Sequence, residues 1–97
     1  MLFGYGPFTF NEAGIGGILQ SGGVYGLARP GLLGRYTILY VGKTGNLQER
    51  LRAHLNNPPV PGVTHFFAEA LEGDAARTQR ESVLIQEFKP VGNTLLK

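Results

Sequence analysis

The chain has no cysteine and only two histidines. Without cysteine there is neither a disulfide framework nor a thiolate metal site, and His54 and His65 are too few for a histidine-rich zinc centre. A bound metal is therefore expected to rest mainly on carboxylate and water. Charge is sparse too, at 16% of the 97 residues, where an average domain has about 25%. Nine Lys and Arg against seven Asp and Glu leave a net charge of +2, a mild basic lean compatible with a polyanionic partner. No run approaches the roughly 18 consecutive apolar residues of a membrane-spanning helix, and the start, Met1 to Pro7, lacks the basic-then-apolar layout of a secretory leader. The expectation is a soluble, cytoplasmic protein with no membrane partner, of a length that fits one core and not two.

Glycine is abundant but unevenly placed. Of the 15 glycines, 12 lie in residues 1 to 45, whereas 12 of the 16 charged residues lie in 46 to 97. Loops and strands are expected in the first half and helices in the second. Residues 1–22 read as an N-terminal arm, in which Asn11 caps a short helix through about Leu19. Gly23 to Leu27 and Tyr36 to Val41 are rich in β-branched and aromatic residues around a Pro30-Gly31 turn, the pattern of an antiparallel hairpin. Asn46 caps a helix of about Leu47 to Leu55, because Leu47, Leu51 and Leu55 recur on one face, and Asn56 to Pro59 ends it. Thr64 to Ala70 is a third strand. Asp74 then caps a helix that must stop near Phe88, before Pro90, and a tail follows. The predicted class is α/β, more narrowly α+β: a three-stranded antiparallel sheet flanked by helices, within residues 23–97.

Four polar features stand out against this scaffold. Tyr25 and Tyr40 occupy one hairpin strand each, where cross-strand packing is the ordinary role for a tyrosine. Val41 to Asn46 carries a strand through a glycine turn into a capped helix; its free N–H groups and Lys43 form either an anion site or a simple β-to-α turn. Arg50 and His54, four residues apart, flank the leucine stripe of the next helix, so both can reach along the sheet edge, although an arginine there can also snorkel. Glu81 shares its helix face with Leu84, Ile85 and Phe88. Burying that carboxylate unpaired costs several kcal/mol, so it needs a cation, a metal or a wet cleft, and Arg77 or Arg80 could serve as a salt-bridge partner. Phosphodiester hydrolysis needs a base for water, cations for the phosphorane and a Lewis acid or proton for the leaving oxygen. A single carboxylate suits one hard ion, Mg²⁺ with Mn²⁺ as substitute.

These residues resemble the GIY-YIG endonuclease family over about residues 23 to 93. Gly23-Val24-Tyr25 is similar to the first motif and Leu39-Tyr40-Val41-Gly42 to the second. Lys43 and the helix holding Arg50 and His54 resemble the segment that follows. Glu81 through Asn93, with Pro90 nine residues after the glutamate and Asn93 three beyond, is similar to the closing segment. Fourteen residues separate Tyr25 from Tyr40, which lengthens the hairpin loop relative to a compact member. Phe8 to Glu12 resembles the lead-in of small stand-alone bacterial members.

The resemblance implies metal-dependent cleavage of nucleic acid, DNA in the first instance. Glu81 is then the ligand of a single metal, Tyr25 the general base with Tyr40 or Lys43 lowering its pKa, and Arg50 the stabiliser of the phosphorane. His54 is the alternative base or a phosphate contact. Lys43, Arg50 and Asn93 lie on the substrate side, Asn93 mainly as a brace. Nine basic residues can neutralise few phosphates, so weak, salt-sensitive binding with little base specificity is expected, with an accessory targeting protein to help choose the target. A homodimer, paired through the glycine-rich front arm, belongs to a separate possibility, a structural dimerisation unit. The competing possibility is a catalytically silent nucleic-acid or protein-interaction module with the same fold.

Overall fold

The computed structural model describes residues 4–18 and 20–95. Four strands, β1 (Tyr5–Thr9), β2 (Gly23–Pro30), β3 (Tyr36–Thr44) and β4 (His65–Ala70), are interleaved with helices α1 (Glu12–Gly16), α2 (Leu47–Asn56), α3 (Asp74–Phe88) and α4 (Val91–Leu95). The sheet is antiparallel in the order β1-β4-β2-β3, which makes β1 and β3 its edges. It therefore has four strands and not the expected three, because Tyr5–Thr9 pairs with β4. Pro7 has no N–H to donate, and an edge strand is where a sheet tolerates that. Its Gly6-Pro7 start reads as a turn in sequence.

The helix signals are closely followed at α2, where the Asn46 side chain accepts from the Glu49 N–H at 3.1 Å and Leu47 and Leu51 are buried. Asn11 caps α1 in the same way, through the Gly14 N–H at 2.8 Å. That helix ends at Gly16, short of the expected Leu19, and Leu19 itself lies outside the described residues. At α3 the expected cap fails. Gly73, with φ at 92°, turns the chain into the helix, and Asp74 becomes its first residue. Lys89 leaves α3 in a left-handed conformation just before Pro90, and the expected tail folds into α4.

Strand alternation sends side chains to both faces. Tyr25 and Leu27 pack with Ile15, Leu47, Leu51, Phe66 and Ala68 under α1 and α2, while Val24, Ala28, Ile38 and Val41 pack on Leu84 of α3. In β3 the register slips at Leu39, since Leu27 opposes Tyr40 and Ala28 opposes Ile38. That bulge lets Ile38 and Val41, three residues apart, share one face. Helices thus approach β3 from both faces, and the chemistry gathers along this edge.

Candidate active site

Tyr25 is 2% exposed, and Gly42 opposes it in β3. A Cβ added at Gly42 would fall 2.5 Å from the Tyr25 Cζ and overlap its hydroxyl. Only glycine lets the phenol lie across β3, and this is the physical reason for a glycine directly after Val41. From there the hydroxyl reaches α2, where it meets Nε2 of half-buried His54 at 2.7 Å. Tyr40 completes a three-ring cluster, with ring centroids 6.3 Å from Tyr25 and 5.7 Å from His54. Asn46 starts α2 so that residues 50 and 54 fall one turn apart beside the leucine stripe, as their spacing predicts.

The electrostatics link three elements. Burial above all raises the Tyr25 pKa; Tyr40 and the Glu81 carboxylate of α3 push it further, and the Arg50 guanidinium opposes them. Tyr40 was expected to lower this pKa and does the reverse, because two adjacent phenols cannot both ionise without like-charge repulsion. Burial, then the Arg50 charge, lowers the pKa of His54, so its imidazole is neutral at pH 7. In the neutral tautomer that leaves Nε2 bare, this nitrogen accepts the Tyr25 O–H.

Glu81 is half-buried on the sheet-facing side of α3, and burial raises its pKa against the nearby Lys43 charge. Neither arginine considered as its salt-bridge partner engages it: Arg77 donates to the Leu71 carbonyl at 2.9 Å, and Arg80 pairs with Glu69 at 2.9 and 3.0 Å. Among the described residues Glu81 has no ion pair. Arg50 is exposed and likewise free of an ion-pair partner among the described residues. Lys43 is held against α3, donating to Thr78 Oγ1 at 2.7 Å and Asp74 Oδ1 at 3.3 Å. Asp74 and Thr78 were not foreseen as part of this site, although their spacing places them on the α3 face that carries Glu81.

Asn93 of α4 uses both ends of its amide on Val41. Its Oδ1 accepts the Val41 N–H at 2.7 Å and its Nδ2 donates to the Val41 carbonyl at 2.8 Å. The outer backbone groups of an edge strand are thereby satisfied. The preceding residue is equally constrained, since a Cβ at Gly92 would sit 2.6 Å from the Leu39 carbonyl oxygen. Together these contacts dock α4 on β3 beside the phenols.

No cluster of three or more His, Asp or Glu ligands exists among the described residues. A divalent ion would bind one protein carboxylate, that of Glu81, and complete its shell with water and substrate oxygens. A half-buried carboxylate lacking an ion-pair partner fits such an ion, and the oxygen-dominated surroundings favour a hard one. Among the described residues no helix is long and apolar enough to cross a membrane.

No family model matches the chain, and no curated protein matches it. Solved structures do. The magnesium-bound GIY-YIG N-terminal endonuclease domain of UvrC from Thermotoga maritima is 22% identical, with a TM-score of 0.65 over 80% of this chain and 89% of that one. A tyrosine-to-phenylalanine point mutant of the same domain, bound to its catalytic divalent cation, is 21% identical with a TM-score of 0.67 over the same shares. An asparagine-to-alanine mutant is 22% identical, with a TM-score of 0.66 over 80% and 88%. The fold of this chain is that of the GIY-YIG endonuclease domain.

Proposed function

We propose that the protein is a metal-dependent endonuclease that hydrolyses phosphodiester bonds of DNA with a single divalent ion. The observation that carries this reading is the Tyr25 phenol of β2, which lies over Gly42, meets His54 of α2 and is within electrostatic reach of Arg50 of α2 and of the Glu81 carboxylate of α3. The magnesium-bound fold neighbour supports it.

Glu81 would hold Mg²⁺, or Mn²⁺ in its place, and the bound ion would supply Lewis acidity at the scissile phosphate. The proton steps belong to the chain. Tyr25 is a relay and not a standing phenolate: its oxygen takes the proton of the attacking water while its own proton passes to Nε2 of His54. A neutral imidazole already hydrogen-bonded to the phenol is ready for that transfer. Arg50, exposed and free of a partner among the described residues, faces the charge that grows on the phosphorane, and such preorganised groups are worth about 10²- to 10³-fold in rate. Tyr40 packs the relay. Lys43, anchored to Thr78 and Asp74, tempers the charge of Glu81 more than it grips substrate, and Asn93 braces β3.

Supercoiled plasmid incubated with Mg²⁺, Mn²⁺ or EDTA tests the reading. Wild type should nick it only with metal, and Glu81→Ala and Arg50→Ala should each lose about 10²-fold or more. Equal nicking by all three proteins marks a contaminant and removes the enzyme.

A further inference from the structure

The most exposed apolar side chains among the described residues lie outside this site. Leu32 and Leu33 are 87% and 95% exposed at the tip of the β2–β3 hairpin, on a 3₁₀ turn over Leu32–Gly34. Water contact for two adjacent leucines is unfavourable, and this tip is not slack. The Gly31 N–H donates to the Arg35 carbonyl at 2.6 Å and the Arg35 N–H to the Leu32 carbonyl at 3.1 Å. Leu33 itself sits in the left-handed region, at φ 58° and ψ 36°, which an L-residue with a Cβ avoids. Strain that presents an apolar side chain to solvent marks a place shaped for contact.

The charges around the tip say with what. Arg29 and Arg35 flank the leucines on the two strands; both are exposed, and neither side chain has an ion pair or hydrogen bond among the described residues. No acid occurs between Glu12 and Glu49, so the whole hairpin carries cations alone: Arg29, Arg35 and Lys43. An apolar pair between free arginines matches a nucleic-acid duplex, where guanidiniums take phosphates and leucines enter a base step that is already unstacked. The same two strands carry Tyr25 and Tyr40. Five residues of strand from Tyr25 to Pro30 plus the tip give roughly 20 Å, or about 6 base pairs at 3.4 Å each.

We infer that the β2–β3 tip is a wedge that reads unstacked steps, making mismatched or bulged duplex DNA the favoured substrate. This rests on the nuclease reading and adds a substrate class to it. Opening a paired step costs a few kcal/mol, and much less at a defect, so the wedge converts that difference into preference.

The test uses the full chain with fluorescent 30-base-pair duplexes, one perfect and one with a central two-nucleotide bulge, in EDTA. Anisotropy should give about tenfold tighter binding to the bulged duplex, and Leu32→Ser/Leu33→Asn should bring the ratio close to one; asparagine tolerates the left-handed backbone. In Arg29→Gln/Arg35→Gln both affinities should fall together and the salt slope should flatten by about two. A 2-aminopurine beside the bulge should brighten with wild type and not with the leucine variant. An unchanged ratio in the leucine variant overturns the wedge. So does a leucine variant that only shifts a dimer to monomer in gel filtration, which would make the tip a contact between copies of this chain. Metal-dependent plasmid nicking without a bulge preference defeats the wedge alone; no nicking and no DNA binding defeats the nuclease reading with it.

Discussion

Gly42→Ala adds one methyl group at the point where the site is tightest. The new Cβ would lie 2.5 Å from Cζ and 2.9 Å from Cε2 of Tyr25, against a normal carbon contact of about 3.5–4.0 Å. The phenol cannot step aside cheaply, because its ring is 2% exposed and packed with Leu47 and Leu51 of α2. Overpacking of this kind costs ~1–3 kcal/mol, and parting the Tyr25 hydroxyl from His54 adds ~1–3 kcal/mol for a buried polar group left without its partner. A loss of about 3 kcal/mol lowers the melting temperature of a domain this size by roughly 12–24 °C. Thermal unfolding by circular dichroism measures it, with Gly45→Ala as control, since a methyl there meets nothing within 4 Å. In a Tyr25→Phe background the nearest atom is gone, and the same methyl should cost about 1 kcal/mol less. A Gly42→Ala protein that melts within about 2 °C of wild type and nicks plasmid normally would refute the placement of the phenol over β3.

The remaining predictions concern single groups. Folding raises the Glu81 pKa, so the native state holds that proton more tightly than the unfolded chain, and the stability this gives is full below the unfolded pKa and lost as pH rises through the folded one. Glu81→Gln should therefore be more stable than wild type at neutral pH and lose its advantage in acid, as urea midpoints across pH will show, while its metal-dependent nicking disappears. Folding lowers the His54 pKa, so nicking should climb with pH through a step below the usual histidine range, and His54→Gln should flatten that limb of the pH–rate profile. Asn93→Ala leaves the Val41 N–H and carbonyl without their partner on an edge strand; it should cost ~1–3 kcal/mol in urea unfolding and increase aggregation, without a matching loss of Mg²⁺ affinity.

Local signals in the sequence carried much of this architecture. Asn46 and the four-residue leucine repeat define α2, and the position of Glu81 beside Leu84 and Phe88 foretells a carboxylate on the sheet side of α3. What escaped was set by tertiary contact. Strand β1 offers no alternation and holds Gly6 and Pro7, and its partner β4 is some 60 residues away. Helix α4 is five residues with a glycine inside, and Gly92 and Asn93 fit it against Leu39 and Val41. Asp74 has the composition of a cap, yet Gly73 makes the turn and frees its carboxylate for Lys43. The direction of the Tyr25 pKa also lay beyond the sequence, because it follows from burial and not from which residues are neighbours in the chain.

Metal placement is the most direct test of the site. Titrating Mn²⁺ into ¹⁵N-labelled protein should broaden the amide signals of Glu81, Gly42 and Tyr25 first, and Glu81→Gln should abolish that selective broadening. Broadening centred instead on Glu69 or Glu49, or a pattern unchanged in Glu81→Gln, would contradict a catalytic ion held at the α3 carboxylate.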